Sequence, residues 1–334
     1  MRAQRVLVAA AAAVVLLGML SIPVYLLAAV AASRAAVGVD WAHLGVVFAG
    51  SLRATACAVA VALPLGLATA MFSAHFCAPR LRAWLKPALE MLEAIPTVVL
   101  GLVAATAFAP WLKSHVATLL ALIVAVPALL LATGFAFGRA SRRDGWLPVT
   151  TLPLLCAVVA IGVWLSTRAD APSVVPASPW NAMLVGIALG IAALPVVFSV
   201  AEDALFLVPR EQTQAAFALG ATRWQALATV VLPAAGSGLF AAALLGIGRC
   251  FGETMIVLMA SGNTPVGGWD PLSGLRSLGA DIALGMPDAA PASAPWRDLL
   301  VATLALLAST VLLSLAAGFV RARLRRRLYM AATA

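Results

Sequence analysis

One arginine and one glutamate stand out in a stretch of chain that is otherwise apolar. Arg249 and Glu253 fall inside GRCFGET, within a run from Ala234 to Ala260. Read as one helix rising ~1.5 Å per residue, that run crosses a bilayer and sets the two side chains four apart on one face, near its middle. A charge at that depth is costly, so it is expected to face protein or water and to have a partner. Two chemistries fit. An Arg249–Glu253 pair locks the span to a neighbour, or a guanidinium on a path through the membrane offers bidentate donors to a passing oxyanion, with Glu253 tuning or releasing it. Gly246, Gly248 and Gly252 share the segment, and Gly248 with Gly252 has the small-xxx-small spacing of close helix packing.

The elements that must position this pair are read from composition. Of 334 residues, 63% are hydrophobic and 10% charged, far more apolar than the half or so typical of soluble domains. The chain reads as an all-α, polytopic transmembrane helical bundle. Its net charge of +9 suggests nucleic acid only if the basic residues share a face with stacking aromatics; here they sit at span ends, so no nucleic-acid partner is expected. Cys57, Cys77, Cys156 and Cys250 lack ligand spacing and read as small apolar residues; His43, His75 and His115 are isolated. No metal site or cofactor is expected.

About eight spans follow. They are Val6–Ala32, Gly45–Phe72, Glu90–Trp111, Val116–Phe137, Trp146–Leu165, Asn181–Phe206, Ala234–Ala260 and Leu299–Val320. Residues 1–44 make an uncleaved anchor span with an external linker, and 45–325 the main transmembrane domain. Glu202 and Asp203 read as a solvated span end. The mixed stretch from Ser261 to Trp296 is too poor in apolar periodicity to span. Strict alternation puts fifteen basic residues on one face and six, Arg53 among them, on the other. The positive-inside rule makes the richer face cytoplasmic, with both termini on it.

Between the sixth and seventh spans lies PREQTQAAFALGATRWQALATVVLP. Pro209 suits a first helical turn, Gly220 a left-handed helix stop, and Thr222 with Gln225 a capping box, giving two short helices that meet at Gly220. QAAFAL then presents an apolar strip to the cytoplasm, with Arg223 and Trp224 leading the second helix, as a docking surface does. The chain has just two lysines, and neither stands in a P-loop; no nucleophile–base set or zinc motif occurs, so enzymatic activity is not expected.

Residues 214–233, with Gln214, Ala215, Ala216 and Gly220 in place and Leu232–Pro233 closing the stretch, resemble the EAA loop of ABC importer permeases. Gln214 replaces the family's glutamate. AEDALFLVP, ALGATRW, GRCFGETMIVLMASGNTP and EAIPTVVLG at 93–101 are similar to the phosphate importer permease of the C-subunit type. The resemblance implies a type I ABC importer permease fold: a six-span core, with 113–167 as an extra hairpin and 209–233 as the cytoplasmic coupling loop. It places Arg249, Glu253 and Thr254 on the phosphate path, and Gln214, Ala215, Ala216, Gly220, Arg223 and Trp224 at the ATPase contact. The implied partners are a paralogous permease forming a heterodimer, two ATPase subunits that hydrolyse the ATP, an external phosphate-binding protein and the bilayer. The implied location is the inner membrane.

Three other readings stay open on the residues. They are a permease for another oxyanion such as sulfate or molybdate, a proton-coupled secondary transporter with Arg249 and Glu253 as relay, and a scaffold without transport. The secondary transporter is disfavoured by the absence of an internal repeat and of a second mid-span charge.

Overall fold

The computed structural model describes residues 2–32, 38–116 and 178–333; the expected fourth and fifth spans, and most of the 113–167 hairpin, lie outside the described residues. Among the described residues there is no strand, and six helices are long and apolar enough to cross a membrane. The chain divides into a unit of residues 1–104 and 180–334 and a second unit of 105–179.

Local chemistry sets the helix starts. α1 is Arg2–Ala32. α2, Trp41–His75, is capped by Asp40, whose Oδ1 accepts the N–H groups of Ala42 and His43. α3, Pro79–Ala94, opens on a proline and ends at Ile95, whose extended backbone is the one favoured before Pro96. α4, Thr97–Val103, continues through a π turn at Ala104–Phe108 to Val116. The expected third span, Glu90–Trp111, is therefore two helices with a break at Ile95–Pro96.

α5, Ala182–Phe206, is capped by the Asn181 side chain on the Leu184 N–H. It runs parallel to α2, because Gly186 packs on Cys57, Gly190 on Ala58 and Val61, and Gly66 on Val197 and Leu194. With no β-carbons in the way, the two backbones approach closely along most of their length.

After α5 come α6, Arg210–Ala218, and α7, Arg223–Ala226. The second of the expected short helices is not separate. α7 passes through a π turn, Leu227–Val231, straight into α8, Leu232–Gly252, as one helical run. That run stops at Gly252, and α9, Met255–Ala260, starts afresh after two residues. The expected unbroken span Ala234–Ala260 is thus interrupted at Glu253–Thr254. The mixed stretch 261–296 does not span, as expected, but contains a short helix, α10, Leu278–Gly285. α11, Ala294–Thr333, closes the chain.

The parallel pair α2 and α5 defines two ends of the larger unit. At their N-terminal ends sits the 261–285 stretch: Ala182 and Met183 donate backbone N–H groups to the carbonyls of Ser273 and Pro271, and Leu278 N–H donates to Ser51 Oγ. Val47, Phe251, Leu278 and Ala302 form the core there. At the C-terminal ends, Ala70, Phe198, Ala201 and Leu205 pack with Leu227, Val231 and Ala235. The helical pair α6–α7 and the 261–285 stretch therefore lie at opposite ends of α2 and α5.

Candidate functional site

Arg249 and Glu253 do not share a helical face. Glu253 takes an extended backbone, φ −75° and ψ 130°, just past the end of α8. Its Oε1 accepts the Met255 N–H at 3.2 Å, so the carboxylate reaches forward to satisfy the start of α9. Among the described residues no ion pair or hydrogen bond joins the two. Arg249, half-buried in the last turn of α8, has no hydrogen-bond or ion-pair partner for its guanidinium among the described residues. The expected local pair is replaced by a broken helix, the form that backbone takes at membrane depth where it lines a cavity or is buried in protein.

The break is held from two sides. Gly279 of α10 packs directly on Thr254 Oγ1, with no room for a β-carbon. Gly101 of α4 lies against the backbone at Met255 and Ile256; a β-carbon there would sit 3.2 Å from Ile256 Cα. This brings EAIPTVVLG into contact with the residues that directly follow Glu253. Two glycines of α8 differ: Gly246 packs tightly on Val197, while a β-carbon on Gly248 would meet no described atom within 4 Å.

The helical pair has the geometry read from sequence. Gly220 adopts φ +86° and donates to Phe217 O at 2.9 Å, while Ala221 donates to Ala216 O at 3.0 Å, a Schellman stop. Thr222 N–H donates to Gln225 Oε1 and Gln225 N–H to Thr222 Oγ1, the reciprocal capping box. Gln214, Ala215, Gly220, Arg223 and Trp224 are exposed and Ala216 is half-buried. Leu219 is 90% exposed, Trp224 62% and Phe217 44%, so the apolar strip stays largely uncovered by the described residues. Ala226 and Leu227 are buried beneath it, and the Trp224 ring lies 6.4 Å from that of Phe76 at the end of α2.

Three buried charges, Glu202, Arg53 and Asp281, escaped the sequence reading. Glu202 is no solvated span end: its residue is 0% exposed, Ser73 Oγ–H and Arg82 Nε–H donate to its Oε1 at 2.5 and 3.1 Å, and Lys86 Nζ lies 3.2 Å from Oε2. Lys86 also reaches Asp203 at 3.4 Å. Burial alone would lower the Lys86 ammonium, but the hydrogen bond and charge of Glu202, aided by Asp203, hold it above the ordinary lysine range. The i, i+4 spacing of Arg82 and Lys86 was the available signal, since it puts two cations on one face of α3.

Arg53, counted among the external flanking charges, is likewise inside the protein. Only 2% exposed, it donates to Gly268 O, Ser273 Oγ and Gly274 O at 2.9, 3.0 and 2.5 Å, clamping the 268–274 turn onto α2. Arg53 is thus a further charge buried within a span, with its donors on the Gly268 and Gly274 carbonyls and the Ser273 hydroxyl. Arg276, with Nε on Asn263 O and Nη1 on Asp281, and His43, 3.2 Å from both Asp281 carboxylate oxygens, extend the same clamp.

A multi-span helical protein with a capped, exposed helical pair at one end and a broken, arginine-bearing helix inside is a membrane permease in architecture. Residues 62–329 match the family of binding-protein-dependent transport system inner membrane components, and the chain belongs to that family. Among curated relatives, the probable ABC transporter permease protein YqgH of Bacillus subtilis is 27% identical over 237 residues, 71% of this chain and 58% of its own length. The phosphate transport system permease protein PstC of Mycobacterium leprae is 27% identical over 253 residues, 73% of this chain and 66% of the relative. That of Haemophilus influenzae is 26% identical over 215 residues, covering 64% and 56%. The chain spans less than two thirds of the length of these relatives. The fold is that of the type I importer permeases.

Proposed function

We propose that this chain is the membrane permease subunit of an ATP-driven inorganic phosphate importer, forming half of the translocation path. The observation that carries the reading is the break in the helix at Glu253–Thr254. It leaves Arg249 without a carboxylate partner among the described residues, inside a membrane-spanning run. A guanidinium so placed presents a planar fork of donors matched to an oxyanion, and the capping role of Glu253 keeps its charge nearby without quenching the arginine. The names of relatives such as those of Mycobacterium leprae and Haemophilus influenzae favour phosphate over sulfate or molybdate.

The exposed helical pair is the coupling surface for an ATPase, with Gln214, Ala215, Ala216, Gly220, Arg223 and Trp224 at the contact. No P-loop occurs in the sequence, so the energy source is a partner: two ATPase subunits, beside a paralogous permease and an external phosphate-binding protein. The excess of basic residues favours a cytoplasmic position for the α6–α7 end and for both termini. The 261–285 stretch, at the opposite end of α2 and α5, then faces outward. Uptake of radiolabelled phosphate by a strain lacking the chain and by the complemented strain tests the substrate. Competition by unlabelled sulfate or molybdate equal to that by phosphate would overturn the choice of phosphate.

A further inference from the structure

Glu202 is a buried carboxylate that the proposed substrate path does not use. It sits in the last turns of α5, shares Oε1 between Ser73 and Arg82, and faces Lys86 with Oε2. Arg82 also lays its guanidinium over the Phe206 ring, 3.6 Å from the centroid. On the other side of this cluster stands α3, which buries none of its residues. Leu81, Trp84 and Met91 are exposed, and Leu89 is the α3 side chain that packs on the core at this end. Charge, more than apolar burial, fastens α3 to α5.

What the cluster joins gives it meaning. Phe206 ends α5, and α6, the first helix of the exposed pair, begins at Arg210, so the cluster lies directly behind the coupling surface. In the other direction α3 leads through Ile95–Pro96 into α4, whose Gly101 abuts Ile256 just past the helix break. If a partner displaces α6–α7, the end of α5 moves, and α3 must either follow or leave a carboxylate buried without its cations. The second course is strongly unfavourable.

We propose that Glu202 is a positioning residue. It ties α3 to α5 so that displacement of the α6–α7 pair is carried through α3 and the Gly101–Ile256 contact to the backbone beside Arg249. The inference rests on the ATPase-coupled reading above, though not on phosphate as the substrate.

The test uses the full chain assembled with its ATPase in vesicles, with the native cysteines replaced by alanine and Met91→Cys introduced as a reporter on α3. In this parent, adding ATP should change the rate of maleimide labelling at position 91. Replacing the whole cluster by apolar residues, Arg82→Met with Lys86→Met and Glu202→Leu, removes the charges without orphaning one. This variant should still hydrolyse ATP while its labelling response falls by about fivefold or more, the scale of a typical coupling between sites. Glu202→Gln, which keeps an acceptor for Ser73 but no charge, should do the same and carries the test if the triple variant does not assemble. An undiminished response in the assembled variants, or a parent that shows none, overturns the inference. Absent phosphate uptake in a parent whose labelling does respond to ATP would sink the phosphate reading alone.

Discussion

Gly101 of α4 and Ile256 of α9 meet backbone to backbone, with 3.2 Å between the place of a β-carbon on the glycine and Ile256 Cα. The contact closes on the residues just past Glu253, so the position of α4 and the path of the broken helix are set together. Gly101→Ala should be tolerated with a shift of a few tenths of an ångström. Gly101→Leu should overpack the contact at a cost of about 1–3 kcal/mol and sharply reduce phosphate uptake in a protein that still inserts. Uptake by the Leu variant equal to that of the Ala variant would show that the contact is dispensable.

At Arg249 and Glu253 the expected outcomes separate. Arg249→Ala should abolish phosphate uptake while assembly, followed by co-purification of the subunits, survives. Glu253→Gln keeps an oxygen acceptor for the Met255 N–H, so its thermal stability in detergent should stay within about 0.5 kcal/mol of the parent. Glu253→Ala removes the acceptor and should lose about 1 kcal/mol. Equal melting of the Gln and Ala variants would show that the forward hydrogen bond contributes nothing.

Gly220 occupies a left-handed conformation, φ +86°, that side chains disfavour. Gly220→Glu should cost roughly 1–2 kcal/mol locally and set a charge in the exposed apolar strip, weakening ATPase binding. Co-purification with the ATPase subunits measures this, and unchanged yield with normal ATP turnover would count against the coupling surface.

Lys86 ties stability to pH with a definite sign. Its ammonium titrates above the ordinary lysine range in the folded protein, so its contribution is complete below the unfolded value, about 10.4, and is lost as pH rises through the folded value. Melting temperatures recorded from pH 8 to 12 should fall at the alkaline end more for the parent than for Lys86→Met. Parallel curves would remove Lys86 from the account.

What was legible in the sequence was what neighbours in the chain decide. The Gly220 stop and the Thr222–Gln225 box are closed by residues within five positions of one another, and spans such as Ala182–Phe206 announce themselves by apolar length. The helix break at Glu253 was hidden because Gly252 reads equally well as packing, and the partner that occupies the gap, Gly279, arrives from a distant helix. Glu202 finds its cations about 120 positions earlier, and Arg53 places its two terminal nitrogens on backbone carbonyls that no pattern of side chains reveals. In each case tertiary contact overrode the local expectation.

The π turn at Leu227–Val231 lies between the capped start of α7 and the arginine of α8. A π turn holds one residue more than the α-helical turn it replaces, and each residue of an α-helix advances the azimuth by about 100°. The turn therefore acts as an angular index: it fixes the bearing on which the Arg249 guanidinium leaves the helix, independently of how deep that helix sits. Shortening it by one residue would rotate the arginine by about a quarter turn while lifting it by only ~1.5 Å.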